Sequence, residues 1–584
     1  MILQSLVKQY DILAARGRIC PIGWSTAKVS YALQLAANGS VFAIISLKIS
    51  SKDGKKEIPQ SLQVPEQVKK TSGIAANFLC DNGTYMLGAD DKSNPERTKK
   101  CFEAAKALHH EILDEVESAA AKAVLAFFDT WNIDMAMEDK VLLPYLDDIK
   151  AGANLIFQVG GSSAQEDDSV KSAWEKHHLV PADNAVIMCC LVTGKKAPVA
   201  RLHPNIKGIN GAQPSGASLI SYNAPAFESY GHESSQGTGQ GLNAPVSESA
   251  AFKYGAVLNY MTADREHVQH IADTTILYWA EDAEPLCQDV WSAEAFGTDK
   301  IIGEEDLRGI VNALSRGGNI CFKGTELRAD NCFYVLGLAP NASRLSVRFF
   351  LQGEFGTMLR NLNKHNKRLE IVRPVFETRT TLPLWQLLNE TANQKAKNRM
   401  PPAPMAGAVL RSILRGTDYP VSLFENIMLR IRTEHNIKWQ KAAILKAYFL
   451  KNRGIRVPEE VLQVELNEKS DYLPYILGRL FAVLEKVQGD ANPGIKATIR
   501  NKYFSSASAT PGTIFPLLLG LSQHHQRKLP DGSKIYYDKM ISELENCIQE
   551  TLPIRLSLQE QGAFYLGYYH EKQALYTSKN EENK

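Results

Sequence analysis

The stretch 393–406, NQKAKNRMPPAPMA, divides the chain into two kinds of sequence. It is basic and then proline-rich, the composition of a linker rather than of a core segment. Beyond residue 407 the periodicity is helical throughout. AVLRSILRG, KWQKAAILKAYFLK, YLPYILGRLFAVLEKVQ, TIFPLLLGLSQHHQRKL, KMISELENCIQETL and LSLQEQGAFYLGYYHEKQALY carry apolar residues at helix spacing, with Gly or Pro between them. Lys438, Lys441, Arg479, Lys496, Arg500, Lys502, Arg527 and Lys528 fall on the polar faces. Ahead of the linker, short alternating runs are broken by turn residues. The expected fold class is α+β: a mixed domain over 1–392 with antiparallel sheets and long ordered loops, a linker over 393–406, and an all-α bundle over 407–584.

The first segment, MILQSLVKQYDILAARG, has Ile2, Leu6, Tyr10 and Leu13 near helical spacing and Gly17 as a C-cap. Charges interrupt its apolar run, so no signal peptide is expected. Asn38-Gly39 joins two alternating runs, the strongest short hairpin signal. Over 64–88, Lys69, Lys70, Thr71 and Ser72 form a basic, hydroxyl-rich loop, and Asn77 and Asn82 flank Phe78-Leu79-Cys80. The plainer reading is a hairpin whose Asn side chains close turns. The functional reading is a loop that presents donors to phosphate or base edges. Pro95 opens a long Ala-rich helix reaching Trp131. His109, His110 and Glu111 lie within it without metal-ligand spacing, so a structural or solvated role is expected. NLIFQVGG and ADTTILYWAED read as strands, and DNCFYVLGLAPNASRLSVRFFLQGEF as a hairpin around Pro340-Asn341-Ala342-Ser343.

The interval from Cys189 to Tyr260 is dense in Gly, Pro, Asn and Ser and is expected to be mostly ordered loop. No acidic residue occurs between Asp183 and Glu228, while Lys195, Lys196, Arg201, His203 and Lys207 do. Backbone N–H groups, amides and cations in an acid-free loop suit a polyanion. A second basic zone spans 341–400, with eleven Lys and Arg against four Glu and no Asp. It includes Arg344, Arg348, Arg360, Lys364, Lys367, Arg368 and Arg373. A solvated helix face explains such a zone as well as anion binding does.

A net charge of +2 on 584 residues rules out a polycation, so any nucleic-acid site must be local. Nine Cys without a C-x-x-C pair argue against a zinc ribbon and for a reducing compartment, hence a cytoplasmic location. No apolar run reaches membrane-spanning length. Catalytic constellations are weak. Cys189 or Cys190 with His203 would make a thiol–imidazole pair, although VIMCCLVTG reads better as a buried strand. Asp134, Glu138 and Asp139 are too closely spaced for a nuclease motif, and GTGQG at Gly237 follows no clear strand. No catalytic residue, metal or cofactor is expected, and the residues alone point to a non-catalytic, nucleic-acid-associated protein.

KVSYAL (28–33), SGIAANFLCDNGTYMLG (72–88), CLVTGKKAPVARLHPNIKGINGAQPSGASLISYNAPAFESYG (190–231), NAPVSESAAFKYGAVLNY (243–260), DTTILYWAE (273–281), GRLFAVLEKVQ (478–488) and GAFYLGYYHEKQ (562–573) go further. Together these blocks resemble the large subunit of the type I-C (Dvulg subtype) CRISPR Cascade interference complex, from end to end. The resemblance implies recognition of the protospacer-adjacent motif in double-stranded DNA, support of the R-loop, and docking of a helicase-nuclease. The implied partners are CRISPR RNA within the complex, target duplex and displaced single strand, the backbone and CRISPR-RNA-end-binding subunits, and that helicase-nuclease. The C-terminal helices resemble the small subunit, which this subtype can translate separately from an internal start. No Met lies between Met428 and Met540, so such a start would use another codon, for example at Val461 or Val464.

Residue roles are assigned by chemistry. Lys69, Lys70, Thr71, Ser72, Asn77, Asn82, Lys207, Asn210, Gln213 and Ser215 are the expected motif readers, since amides and hydroxyls suit base edges and lysines suit phosphate. Arg344, Arg348 and Arg368 are expected to hold backbone non-specifically. A purely structural scaffold subunit and a thiol-dependent hydrolase remain as alternatives.

Overall fold

The computed structural model describes residues 1–584 except 52–55, 69–72, 91–93, 180–184, 223–224, 228, 230–240, 265–267, 298–301, 378, 380, 398, 549–550 and 582–584. The fold class is α+β, with antiparallel strands ahead of a long helical region. The chain forms two compact units, residues 3–204 with 221–257, and residues 205–220 with 258–584. No described helix is long and apolar enough to cross a membrane.

In the first unit, strands Val41–Ser46, Tyr31–Leu35, Asn154–Val159 and Cys80–Asn82 lie side by side in that order. Tyr31–Leu35 runs parallel to Asn154–Val159, and the other pairs are antiparallel. The expected hairpin at Asn38-Gly39 is present. Gly39 has φ +81°, and a Cβ there would sit 2.2 Å from the Phe127 backbone nitrogen, so both the turn and the approach of the helix Ala119–Thr130 require glycine. Leu33, Phe78, Phe127, Phe128, Leu155 and Phe157 are buried in the core. His109 is structural: one ring nitrogen lies 2.7 Å from the Ala105 carbonyl and the other accepts the Leu79 N–H at 3.0 Å. Burial pushes its pKa down to about 4, so it is neutral at pH 7.

The second unit holds a six-stranded sheet in the order Asn205–Ile206, Ala217–Ser218, Arg344–Glu354, Cys332–Asn341, Thr274–Ala280, Val268–Ile271. Its long central hairpin is the one expected around Pro340–Ser343. Eight α-helices follow residue 402 among the described residues: Ala403–Arg415, Val421–Glu434, Trp439–Lys451, Leu473–Ala491, Ile499–Ala509, Pro511–Gln526, Asp531–Asn546 and Leu558–Glu581. One apolar core runs from Ile271 to Leu575, uniting sheet and helices. The stretch 393–406 lies inside this unit, and its end already belongs to the helix Ala403–Arg415. Leu473–Ala491 and Leu558–Glu581 cross at Gly478 and Gly567, where each helix touches the other's backbone.

The helix expected to run unbroken from Pro95 to Trp131 is two, Pro95–Leu113 and Ala119–Thr130. Ser118 caps the second by accepting the Ala121 N–H at 3.1 Å, and the His110 ring joins Asp114 and Asp129 across the turn at 2.7 and 3.1 Å. VIMCC is not a buried strand. Ile187–Cys189 pairs with Lys196–Pro198 as a two-stranded hairpin, with Ile187 and Cys189 exposed and Cys190 buried. The Cys189–Tyr260 interval is not all loop either, because the helix Glu248–Ala263 occupies its end, opened by Ser247 Oγ accepting the Ala250 N–H at 3.3 Å. Two cations expected on polar helix faces are internal. Lys441 lies between Glu434 (2.6 Å) and Glu390 (3.2 Å), and Arg479 pairs with Glu571 at 2.8 Å.

Candidate nucleic-acid interface

Between the strands Asn205–Ile206 and Ala217–Ser218, at one side of the sheet, the chain makes a loop held from below. Ile206 and Ile209 are buried beneath it. The Lys207 N–H donates to Asn259 Oδ1 (2.8 Å), Asn259 Nδ2 donates to the Asn205 carbonyl (3.1 Å), and the Asn210 N–H donates to Thr275 Oγ1 (3.2 Å). The Gly216 N–H closes a turn on the Gln213 carbonyl at 2.8 Å. Gly208 has φ +76°, and a Cβ there would lie 3.2 Å from the Thr262 carbonyl, so the loop presses its backbone onto the helix end. The side chains of Lys207, Asn210, Gln213 and Ser215 are all exposed above this anchored backbone. They form one cationic, amide- and hydroxyl-bearing ledge, held in place by its backbone.

The same sheet brings the central hairpin beside this ledge. Ala217–Ser218 runs parallel to the start of Arg344–Glu354, and the Ser218 N–H donates to the Ser343 carbonyl at 3.2 Å. The Cβ position of Gly211 lies 3.3 Å from Pro340 Cγ. Arg344 therefore begins its strand next to the loop that carries Lys207 and Gln213. Arg348, four residues further along the strand, is answered by Asp273 at 2.6 Å. Arg368 is elsewhere, in the last turn of the helix Phe355–Arg368, half-buried beside the Tyr419 hydroxyl, where a cation also offsets the helix dipole.

The first-unit readers are placed differently. Lys69, Lys70, Thr71 and Ser72 lie outside the described residues. Asn77 is buried: its Oδ1 accepts the Val68 N–H at 2.8 Å, its Nδ2 donates to Gln67 Oε1 at 2.9 Å, and its own N–H donates to Asp81 Oδ2 at 2.9 Å. Asn82 caps the short helix Gly83–Met86, accepting the Thr84 N–H at 3.1 Å. Both amides shape their own loop.

Cys190 and His203 have separate partners. The Cys190 sulfur accepts the Ser247 N–H at 3.2 Å. Burial pushes this thiol up, but hydrogen bonds from Ser247 and Thr193 outweigh it and bring the pKa down to about 7. Nδ1 of His203 and the Tyr254 hydroxyl are 2.7 Å apart, and burial pushes the imidazole down to about 4. Among the described residues, no three His, Cys, Asp or Glu side chains converge as metal ligands.

Sequence reading did not single out Asn205, Asn259 and Thr275, which hold the ledge. Asn259 had a weak signal, an amide in an otherwise apolar helical run.

The family model described as CRISPR-associated protein (Cas_Csd1) matches residues 6–576. No curated protein matches the chain.

Proposed function

The chain belongs to the Cas_Csd1 family of CRISPR-associated proteins, and from that premise we propose that it is the non-catalytic large subunit of a type I-C RNA-guided surveillance complex. In this reading it recognises the protospacer-adjacent motif in double-stranded DNA, supports the R-loop, and offers a surface to a helicase-nuclease. Base pairing with CRISPR RNA then carries most sequence specificity, while the protein reads a short motif; another RNA-guided effector divides the task the same way.

The observation that carries this reading is the ledge from Lys207 to Ser215. Its backbone is pinned by Asn259 and Thr275, so little backbone freedom is left to lose on binding. Asn and Gln amides make paired hydrogen bonds to adenine in the major groove, and Lys fixes register on phosphate. Arg344, next to the ledge, adds backbone attraction. Asn77 and Asn82, whose amides are engaged locally, take the part of loop supports.

The test uses the assembled RNA-loaded complex and labelled duplexes with a good or a bad motif. Asn210→Ala and Gln213→Ala should each narrow the preference for the good motif by about 1–3 kcal/mol, or roughly 5- to 150-fold. Lys207→Ala should weaken both duplexes alike and lower the slope of log affinity against log salt by about 1. An unchanged preference in the Asn210→Ala/Gln213→Ala double variant would remove the ledge as the reader. The separately translated small subunit belongs to the same reading, and mass spectrometry of the purified complex should find a C-terminal fragment beginning near Val461 or Val464.

A further inference from the structure

Pro374-Val375-Phe376-Glu377 forms a tight turn, closed by the Glu377 N–H on the Pro374 carbonyl at 2.9 Å. Its two corner residues are apolar and project outward: Val375 is 77% and Phe376 85% exposed. Phe376 is the most exposed aromatic side chain among the described residues. Turn corners ordinarily take Gly, Pro, Asn, Asp or Ser. A Phe held in water at a corner forgoes the stabilisation that burial brings, and with Val375 beside it the corner presents an apolar knob to solvent.

The base of the turn is fixed. The Val372 N–H donates to the Val464 carbonyl at 2.8 Å, and the Tyr569 hydroxyl donates to the Val372 carbonyl at 2.6 Å. Glu377, the one carboxylate between Ile371 and Leu382, is already held by the Trp439 indole N–H (3.0 Å) and the Arg379 N–H (3.1 Å). On either side stand two guanidiniums, each ordered by an aromatic face. Arg373 lies over Trp439 at 5.0 Å, and Arg379 over Trp385 at 6.0 Å with its Nη1 donating to Gln386 at 3.0 Å. Lys438, exposed next to Trp439, adds a third cation.

We propose that the Pro374–Glu377 turn is a base-stacking contact for an unpaired nucleic-acid strand, with one base on the Phe376 ring and the flanking phosphates facing Arg373 and Arg379. This rests on the nucleic-acid reading above, but it concerns a different surface and no motif. The charge decides the class of partner. A bare apolar knob would fit a protein pocket equally well. A knob flanked by arginines, with its only acid engaged, matches the alternation of base and phosphate along a single strand.

The test is anisotropy of the full chain with a labelled single-stranded oligonucleotide and with an otherwise identical abasic one. Phe376→Ala should weaken the intact strand by about 5- to 150-fold, the loss of one base–aromatic stack, and leave the abasic strand unchanged. Phe376→Tyr, which keeps the ring, should bind like wild type. Unchanged affinity of Phe376→Ala for the intact strand overturns the proposal, and so does an equal loss on both strands. Unchanged strand affinity combined with a poorer yield of assembled complex would also overturn it, and would assign the turn to a protein partner. The ledge variants Asn210→Ala and Gln213→Ala should leave single-strand affinity intact, so the two readings fail separately.

Discussion

Replacing Gly478 by Ala tests how the helical half of the second unit is held together. A Cβ at Gly478 would lie 2.0 Å from the Phe564 carbonyl oxygen and 2.8 Å from the Tyr568 nitrogen; one at Gly567 would lie 2.1 Å from the Tyr475 carbonyl oxygen. Cβ contacts under 3.0 Å are essentially never seen, and both obstacles are backbone, so no rotamer change relieves them. The helices must part by about 1 Å, enough to forfeit a quarter to a half of each dispersion contact along the crossing. Overpacking costs about 1–3 kcal/mol, occasionally more, against a gain of about 1 kcal/mol for Ala over Gly in a helix. Two polar links cross the same seam, Arg479 to Glu571 and the Tyr475 hydroxyl to His570, each at 2.8 Å, and stretching them leaves buried groups without partners. We expect a net loss of about 2 kcal/mol, read as roughly 30-fold faster hydrogen exchange in Leu473–Ala491 and Leu558–Glu581. Gly567→Ala should do the same, and the double variant should cost less than the sum, because the first opening makes room for the second. Exchange unchanged or slower in Gly478→Ala would refute the close-crossing argument.

Acidification should destabilise the chain before carboxylates with ordinary pKa values protonate. Burial holds His109 down to about 4, and His365 and His570 down to about 3, so each contributes stability that is present above the unfolded value near 6.5 and lost as pH falls toward the folded one. Between pH 7 and pH 5 each gives up about 2 kcal/mol at most. Glu66, pushed up to about 7 by burial and by Glu248, opposes this in part. Denaturant midpoints at the two pH values should therefore fall on acidification, and less so in His109→Gln; midpoints that rise would contradict the buried neutral imidazoles. Lys441→Met should cost about 3–5 kcal/mol at pH 7, since it leaves Glu390 and Glu434 facing each other without their cation. Adding Glu434→Gln should restore part of that loss in the same denaturation assay, and no recovery would mean that the lysine acts by packing alone.

The architecture was readable where local chemistry and tertiary demand agree. Asn38-Gly39 is a turn by its own residues, and the hairpin around Pro340–Ser343 turns at Ala342-Ser343; the strands both turns join are where alternation places them. The bundle was readable as helices, but its inner cations were not. Lys441 and Arg479 sit in helical runs as any surface cation does, and of the carboxylates that hold them inside, Glu390 and Glu571 are distant in sequence while Glu434 lies seven residues before Lys441. The break between Leu113 and Ala119 was hidden because Asp114, Glu115 and Glu117 are tolerated in helices; the Ser118 cap and the grip of His110 on Asp129 decide it. The boundary near residue 400 marks a change of composition, whereas the core from Ile271 to Leu575 runs through it, because the sheet's inner face needs the following helices to cover it.

The candidate interface shows where residue type stops being informative. Asn77 and Asn210 look alike in sequence: each is an amide among Gly, Ser and Lys, in a segment rich in turn residues. What separates them is whether the loop uses the amide or only the backbone. At Asn77 the side chain closes the loop, with both ends of the amide bonded to neighbours ten residues away or nearer. At Asn210 it is the backbone N–H that is tied down, to Thr275, while the side chain stays exposed. A side chain that holds its own loop cannot also meet a base without the loop opening, which would cost the desolvated partners left behind. One that is held only through its backbone is presented at no such cost. That distinction predicts opposite signatures for two chemically identical substitutions. Asn77→Ala should lower the stability of the first unit by about 1–3 kcal/mol, the cost of leaving Val68 N–H and Gln67 without their partners, and weaken good- and bad-motif DNA together, through whatever fraction of the chain unfolds. Asn210→Ala should leave stability unchanged and alter only the ratio between the two DNAs. If the two variants behave alike in both assays, local satisfaction of the amide does not determine which asparagine reads.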